Sequence, residues 1–325
     1  MKILQSKWKT NIKNKELLTI SQTGMLKGII ALGIVFYHIA VQYNENLIVV
    51  KPFKYFGFLF VGLFFFISGY GLMVSMLTKK DYFRSSKKRF LKVIIPFINA
   101  FILYIIYYFL RGEIQQQNIF FVVKYSWFIY EILALYSMFF ITYEKYSFKK
   151  ATILNGIIIV ICLMLMYFFK ISATWYKSTL AFLMGIIVAK NRENLVKWIN
   201  SKHYLKILIL IISMGIFLAL GKYLNLGILE ILIYNIAVML FIMICLMIIN
   251  KSVKFENKFL QYLGSISFEI YLYHGLFIDF FKKMSINKDL GGLLIIIFSI
   301  IIAIIMNELD KVILEKIFEF EKNNN

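Results

Sequence analysis

The chain has 325 residues, 61% of them hydrophobic, and a mean hydropathy of +0.76, well above the apolar share of about 45–50% in soluble domains. Its net charge of +20 does not point to nucleic acid, because the lysines lie in short segments between long apolar blocks. Cys162 and Cys245 sit inside such blocks, where a thiol behaves as a small hydrophobe and carries no redox signal.

Apolar blocks fall at about 25–43, 53–77, 90–110, 119–142, 151–169, 176–190, 204–221, 226–250, 259–281 and 290–307. A helix crosses a bilayer with about 20 such residues, and their lengths suit helices rather than barrel strands. The pattern predicts an all-α, polytopic integral membrane protein with about ten transmembrane helices. Most of the 37 Lys and Arg residues fall on one side when the N-terminus is placed inside, which makes both termini cytoplasmic. The basic segment 1–24 is followed by no small-residue cleavage site, so the first block reads as a retained span. Residues 25–307 form the transmembrane domain, and 308–325 a charged cytoplasmic tail expected to be helical.

The first block holds Lys27 and His38. Eleven residues make three turns with a small remainder, so both lie near one helix face, roughly 16 Å apart along the axis. Lys27 reads alone as a topology-setting lysine. An ionisable residue within the membrane, such as His38, marks function, and a neutral imidazole can take a proton from an attacking hydroxyl. In the second block, Ser68 and Gly69 of "GLFFFISGYG" suit close helix packing.

The segment "YFRSSKKRFLKVIIP" carries Arg84, Lys87, Lys88, Arg89 and Lys92 before Pro96. Clustered cations of this kind set topology or clamp phosphates. His203, in a basic loop, reads as a surface histidine. The ninth block, "YLGSISFEIYLYHGLF", spaces Ser267, Tyr271 and His274 by four and three, hence on one helical stripe. Glu269 points elsewhere and needs a partner. No metal-ligand spacing and no phosphate-binding glycine loop occur.

In their order and spacing these stretches resemble the membrane acyltransferase 3 family. Its first-span Arg, ten residues and His correspond to Lys27 and His38, with Gly28 following the cation. Phe65, Phe66, Ser68 and Gly69 are similar to its Phe-Phe-x-x-Ser-Gly, with the Phe pair shifted by one. Arg89 and Lys92 before Pro96 are similar to its Arg-x-x-Arg. "YSWFIYEILALY", "FLMGIIVA" around Gly185 and "LGSISFEIYLYH" resemble later landmarks. Lysine replaces arginine at Lys27 and Lys92, which keeps the charge and loses the planar two-pronged donor.

The resemblance implies transfer of an acyl group, commonly acetyl, from cytoplasmic acyl-CoA to a hydroxyl of an extracytoplasmic or lipid-linked glycan, in a bacterial plasma membrane. Acyl-CoA, acetyl-CoA first, would be a substrate rather than a tightly bound cofactor. Its phosphates would meet Arg84, Lys88, Arg89 and Lys92. His38 would act as base, or carry the acyl group itself, and Lys27 as the neighbouring cation, while Ser68, Ser267, Tyr271 and His274 line one cavity. Membrane lipids and the glycan are the expected partners, the acyl group passing to the glycan directly or through a separate extracellular transferase. The competing reading is a transporter or flippase, in which His38, His274, Glu230 and Glu269 relay protons.

Overall fold

A computed structural model describes residues 17–79, 82, 86–200, 203–224, 226–251 and 257–323. Among these residues every regular element is helical. The helices are α1 (Ile20–Gln42), α2 (Gly57–Thr78), α3 (Ser86–Leu110), α4 (Trp127–Lys145), α5 (Phe148–Phe168), α6 (Leu180–Lys190), α7 (Arg192–Asn200), α8 (His203–Tyr223), α9 (Leu229–Lys251), α10 (Lys258–Ser265), α11 (Ser267–Lys282) and α12 (Lys288–Asn323). Seven of them, α1, α2, α3, α5, α8, α9 and α12, are long and apolar enough to cross a membrane.

The helix starts are written in side chains. Thr19 accepts from the Gln22 N–H at 3.1 Å while Gln22 accepts from the Thr19 N–H at 3.0 Å, a reciprocal cap on α1. Asn257 caps α10, and Asn287 accepts the Asp289 and Leu290 N–H groups at the start of α12. Along α3 the residues Ile98, Ile102 and Ile106 are about half exposed. A four-residue repeat of bare isoleucines is a stripe that suits lipid and not water.

Two crossings fix the bundle. In α2 and α6, Gly69 meets the Phe182 carbonyl and Gly185 meets the Phe66 carbonyl, so a Cβ at either would strike the partner's backbone. In α1 and α10, Gly28 and Gly264 make the same kind of approach, Gly264 against the Gly24 carbonyl. Small residues at such points let helix backbones pack directly where lipid supplies no hydrophobic drive.

Several sequence expectations change. The ninth block is two helices, broken at Ile266. Ser265 and Ser267 turn their hydroxyls onto the Tyr262 and Gly264 carbonyls at 2.7 and 2.9 Å, which competes with the helix ladder. The fourth block starts as a helix only at Trp127, because Tyr125 has φ 63 and ends the preceding turn in the left-handed region. His203 is buried, 6% exposed, with Nδ1 3.4 Å from the Ile199 carbonyl. Much of the basic loop before it folds as α7, which supplies that carbonyl, so it is no surface histidine. The last helix runs unbroken through the charged tail to Asn323, about 54 Å in length.

Candidate active site

A cavity of 480 Å³ opens among α1, α2, α3, α4, α10, α11 and α12. Five sequence-predicted residues line it: Lys27, Ser68, Lys92, Ser267 and Tyr271. Its size falls within the range of about 300–1,000 Å³ usual for small-molecule sites. Pro96, also in the wall, has no N–H for the Lys92 carbonyl four residues earlier, which loosens α3 at this point. Lys27 and Lys92 form no ion pair among the described residues.

The remaining cations lie to one side. Arg89 sits over the Tyr82 ring at 5.2 Å, and Lys88 over Phe318 of α12 at 5.0 Å. Neither lines the cavity. Arg84 lies outside the described residues.

Glu269 has found its partner: Asn307 Nδ2 donates to its Oε1 at 3.0 Å. Nearby, Asn99 Nδ2 donates to Asp310 Oδ1 at 2.5 Å. All three of Glu269, Asn307 and Asp310 line the cavity. Each keeps one buried oxygen with no hydrogen-bond partner: Glu269 Oε2, Asn307 Oδ1 and Asp310 Oδ2.

The histidines form a second cluster. The His38 ring stacks on Tyr125 with centroids 3.7 Å apart and lies 5.1 Å from His274. Tyr125 is also near-parallel to His274, at 4.9 Å. Tyr125 is held there despite its strained backbone. Its hydroxyl donates to Gln42 Oε1 at 2.7 Å, and its carbonyl accepts from the Tyr271 hydroxyl at 2.6 Å. Over-determination of this sort is how strained residues persist at working sites.

The tautomer of His274 follows from its partner. Nδ1 lies 2.7 Å from the Tyr271 carbonyl, and a carbonyl only accepts, so Nδ1 carries the proton. His274 Nε2 is then a bare acceptor, and it is buried without a partner, as is His38 Nδ1. Two unsatisfied imidazole nitrogens thus sit in one aromatic cluster.

Neither histidine lines the cavity, contrary to the expectation for His274. Tyr271 belongs to the cavity wall, and its ring packs against both His274, at 5.8 Å, and Phe128, another wall residue, at 5.2 Å. The cavity ends at this aromatic wall, with Lys27 on one side and His38 beyond it.

At the His38 end, Lys124 pairs with Asp279 Oδ2 at 3.2 Å, and the Tyr108 hydroxyl donates to the same oxygen at 2.6 Å. Glu113 bridges Arg111, at 3.3 Å, and Lys283. The Lys283 hydrogen bond, foremost, holds the Glu113 carboxyl below its ordinary range.

Sequence reasoning gave no role to Tyr125, Glu131, Asn307 or Asp310. Glu131 is buried, 5% exposed, and accepts from Thr179 Oγ1 at 2.5 Å. A lone acid inside "WFIYEILALY" was the available signal for it. Asp310 falls within the charged segment 308–325.

A family model described as an acyltransferase domain matches residues 24–308. No curated protein and no solved structure matches the chain.

Proposed function

Because the chain belongs to the acyltransferase 3 family, we propose that this membrane acyltransferase moves an acyl group, acetyl first, from cytoplasmic acyl-CoA to a hydroxyl of an extracytoplasmic or lipid-linked sugar. In this reading all ten apolar blocks cross the bacterial plasma membrane, α10 and α11 together as one broken span, with both termini cytoplasmic. The lysine distribution supports that orientation.

The donor phosphates meet Arg89, Lys92 and Lys88, with Arg84 nearby in sequence. The thioester enters the cavity past Lys27, and Ser68 orients its carbonyl. The acyl end then passes the Tyr271–Phe128 wall toward His38. His38 takes the proton of the acceptor hydroxyl as that oxygen attacks the thioester carbonyl. The C–S bond breaks, and the departing thiolate takes the proton back from the imidazolium. Lys27 offsets the negative charge on the donor side, and His274, packed beside His38, meets the acceptor.

The observation that carries this reading is the placement of His38: an imidazole packed inside the bundle with an unpartnered buried nitrogen, on the same helix as a cavity-lining cation. The test is mass spectrometry of surface glycans from cells making the wild-type chain or His38→Gln. Acyl esters that appear with wild type and vanish in the variant support it. Esters unchanged in the variant reject it.

A further inference from the structure

The cavity wall combines two chemistries that no simple ligand satisfies. Lys27 and Lys92, unpaired among the described residues, bring positive charge to it, and Lys311 a third ammonium, paired with Glu308 at 2.6 Å. Glu269, Asn307 and Asp310, each at least nine-tenths buried (4%, 8% and 2% exposed), bring three oxygens that lack a donor. A buried acceptor without a donor is costly, by about 1–3 kcal/mol, and the retained hydrogen bonds from Asn307 and Asn99 fix where the free oxygens lie.

A metal or polyamine cation would answer the oxygens but meet three lysines. An inorganic anion would answer the lysines but leave the oxygens unsatisfied and repelled. A ligand with an anionic end and a neutral arm rich in N–H and O–H groups answers both. The pantetheine arm of coenzyme A has that composition: two amide N–H groups and one hydroxyl, running from a phosphate to the thiol.

From three residues that line the Lys27–Lys92 cavity and each keep a buried, unpartnered oxygen, we infer that Glu269, Asn307 and Asp310 recognise the pantetheine arm of the donor. This rests on the acyl-CoA reading above and adds the residues that select the arm. The wall also sets direction. Phosphate at Lys92 and arm against α11 and α12 point the thiol end toward Tyr271 and the histidines. These three residues act on binding, not on the bond changes, and are positioning residues.

Two isosteric variants separate the contributions. In Asp310→Asn the carbonyl oxygen still accepts from Asn99, but an NH₂ donor replaces the unpartnered oxygen. Asn307→Leu removes a second acceptor with little change of volume. Equilibrium binding of CoA and of pantetheine, which lacks the phosphates, is measured on the full chain in lipid nanodiscs. Each variant is expected to weaken both ligands by the same factor, about tenfold for one lost hydrogen bond. Lys92→Ala is expected to weaken CoA alone.

Pantetheine binding unchanged in both wall variants overturns the inference, as does a wild-type chain that binds CoA but no pantetheine. A wild-type chain that binds neither removes the acyl-CoA reading itself, and the inference with it. Thermal melting of each variant shows whether a loss of binding is a loss of fold; Asp310→Asn, equal in shape, is the variant that decides if Asn307→Leu unfolds.

Discussion

The His274 ring lies 5.1 Å from the His38 ring, centroid to centroid, and donates its Nδ1–H to the Tyr271 carbonyl at 2.7 Å. That bond fixes the tautomer and leaves Nε2 facing the cluster as an acceptor. Histidine tautomers set by a carbonyl are a common device for aiming the other nitrogen. In the proposed mechanism this nitrogen positions the acceptor hydroxyl beside His38. His274→Ala is therefore expected to lower kcat by about 10²-fold, at the lower end of general-base effects, with the donor KM unchanged. His274→Asn, which retains an N–H for the Tyr271 carbonyl, should keep the fold and the same low kcat. A change confined to donor KM would place His274 on the wrong ligand.

Lys27, which by resemblance corresponds to the family's first-span arginine, lines the cavity without an ion-pair partner among the described residues. A residue that acts as a plain cation tolerates exchange for another cation. One that acts through two-pronged contact does not. Lys27→Arg is expected to retain at least half the wild-type kcat/KM, and Lys27→Gln to lose about tenfold or more, one lost charge-assisted contact. Equal losses in both variants would show that shape at this position outweighs charge.

The α2–α6 crossing provides a test of the fold with an internal control. A methyl on Gly69 meets the Phe182 carbonyl, whereas nothing lies within 4 Å of one on Gly71, two residues later in the same helix. Gly69→Ala should cost about 1–3 kcal/mol by overpacking and lower the melting temperature in detergent. Gly71→Ala should be neutral or slightly stabilising, since alanine is the better helix former. Similar melting of the two variants would contradict the crossing.

These particulars show how far the sequence could be read. The apolar blocks fold as helices because hydrocarbon leaves the backbone no alternative to internal hydrogen bonding, but the ninth block is two short helices, and among the described residues seven helices are long and apolar enough to cross a membrane. Lys27, Ser68, Lys92, Ser267 and Tyr271 share one cavity, while His274, expected beside Ser68, Ser267 and Tyr271, lies outside it. The break at Ile266 was not legible, because it depends on two serine hydroxyls and on the approach of Gly264 to Gly24 across helices. Asp310 falls within the charged tail, and nothing local in the sequence shows that α12 turns that residue toward Asn99. The aromatic wall between Lys27 and His38 is a tertiary feature: Phe128, Tyr271 and Tyr125 come from separate segments of the chain.

The Glu113 clasp predicts a pH effect on the segment that carries Tyr125. Lys283 and Arg111 hold the Glu113 carboxyl below its ordinary range, so its contribution is fully present above the unfolded value of about 4.3. It is lost as the pH falls below that and the carboxylate protonates. Amide exchange in residues 111–126, once corrected for intrinsic rates, should rise below about pH 4 and stay flat between pH 5 and 8. Glu113→Gln should show the faster exchange at neutral pH with no acid-dependent step. The pair is exposed, so the effect on global stability is small.

The most direct test of the central claim needs no acceptor. Purified full-length chain in nanodiscs is given acetyl-CoA, and free CoA thiol is followed as the donor is slowly hydrolysed. Wild type should release thiol above background, and His38→Gln should fall by 10²–10⁴-fold or to background, the range lost with a general base. Thiol release from His38→Gln at the wild-type rate would contradict the account.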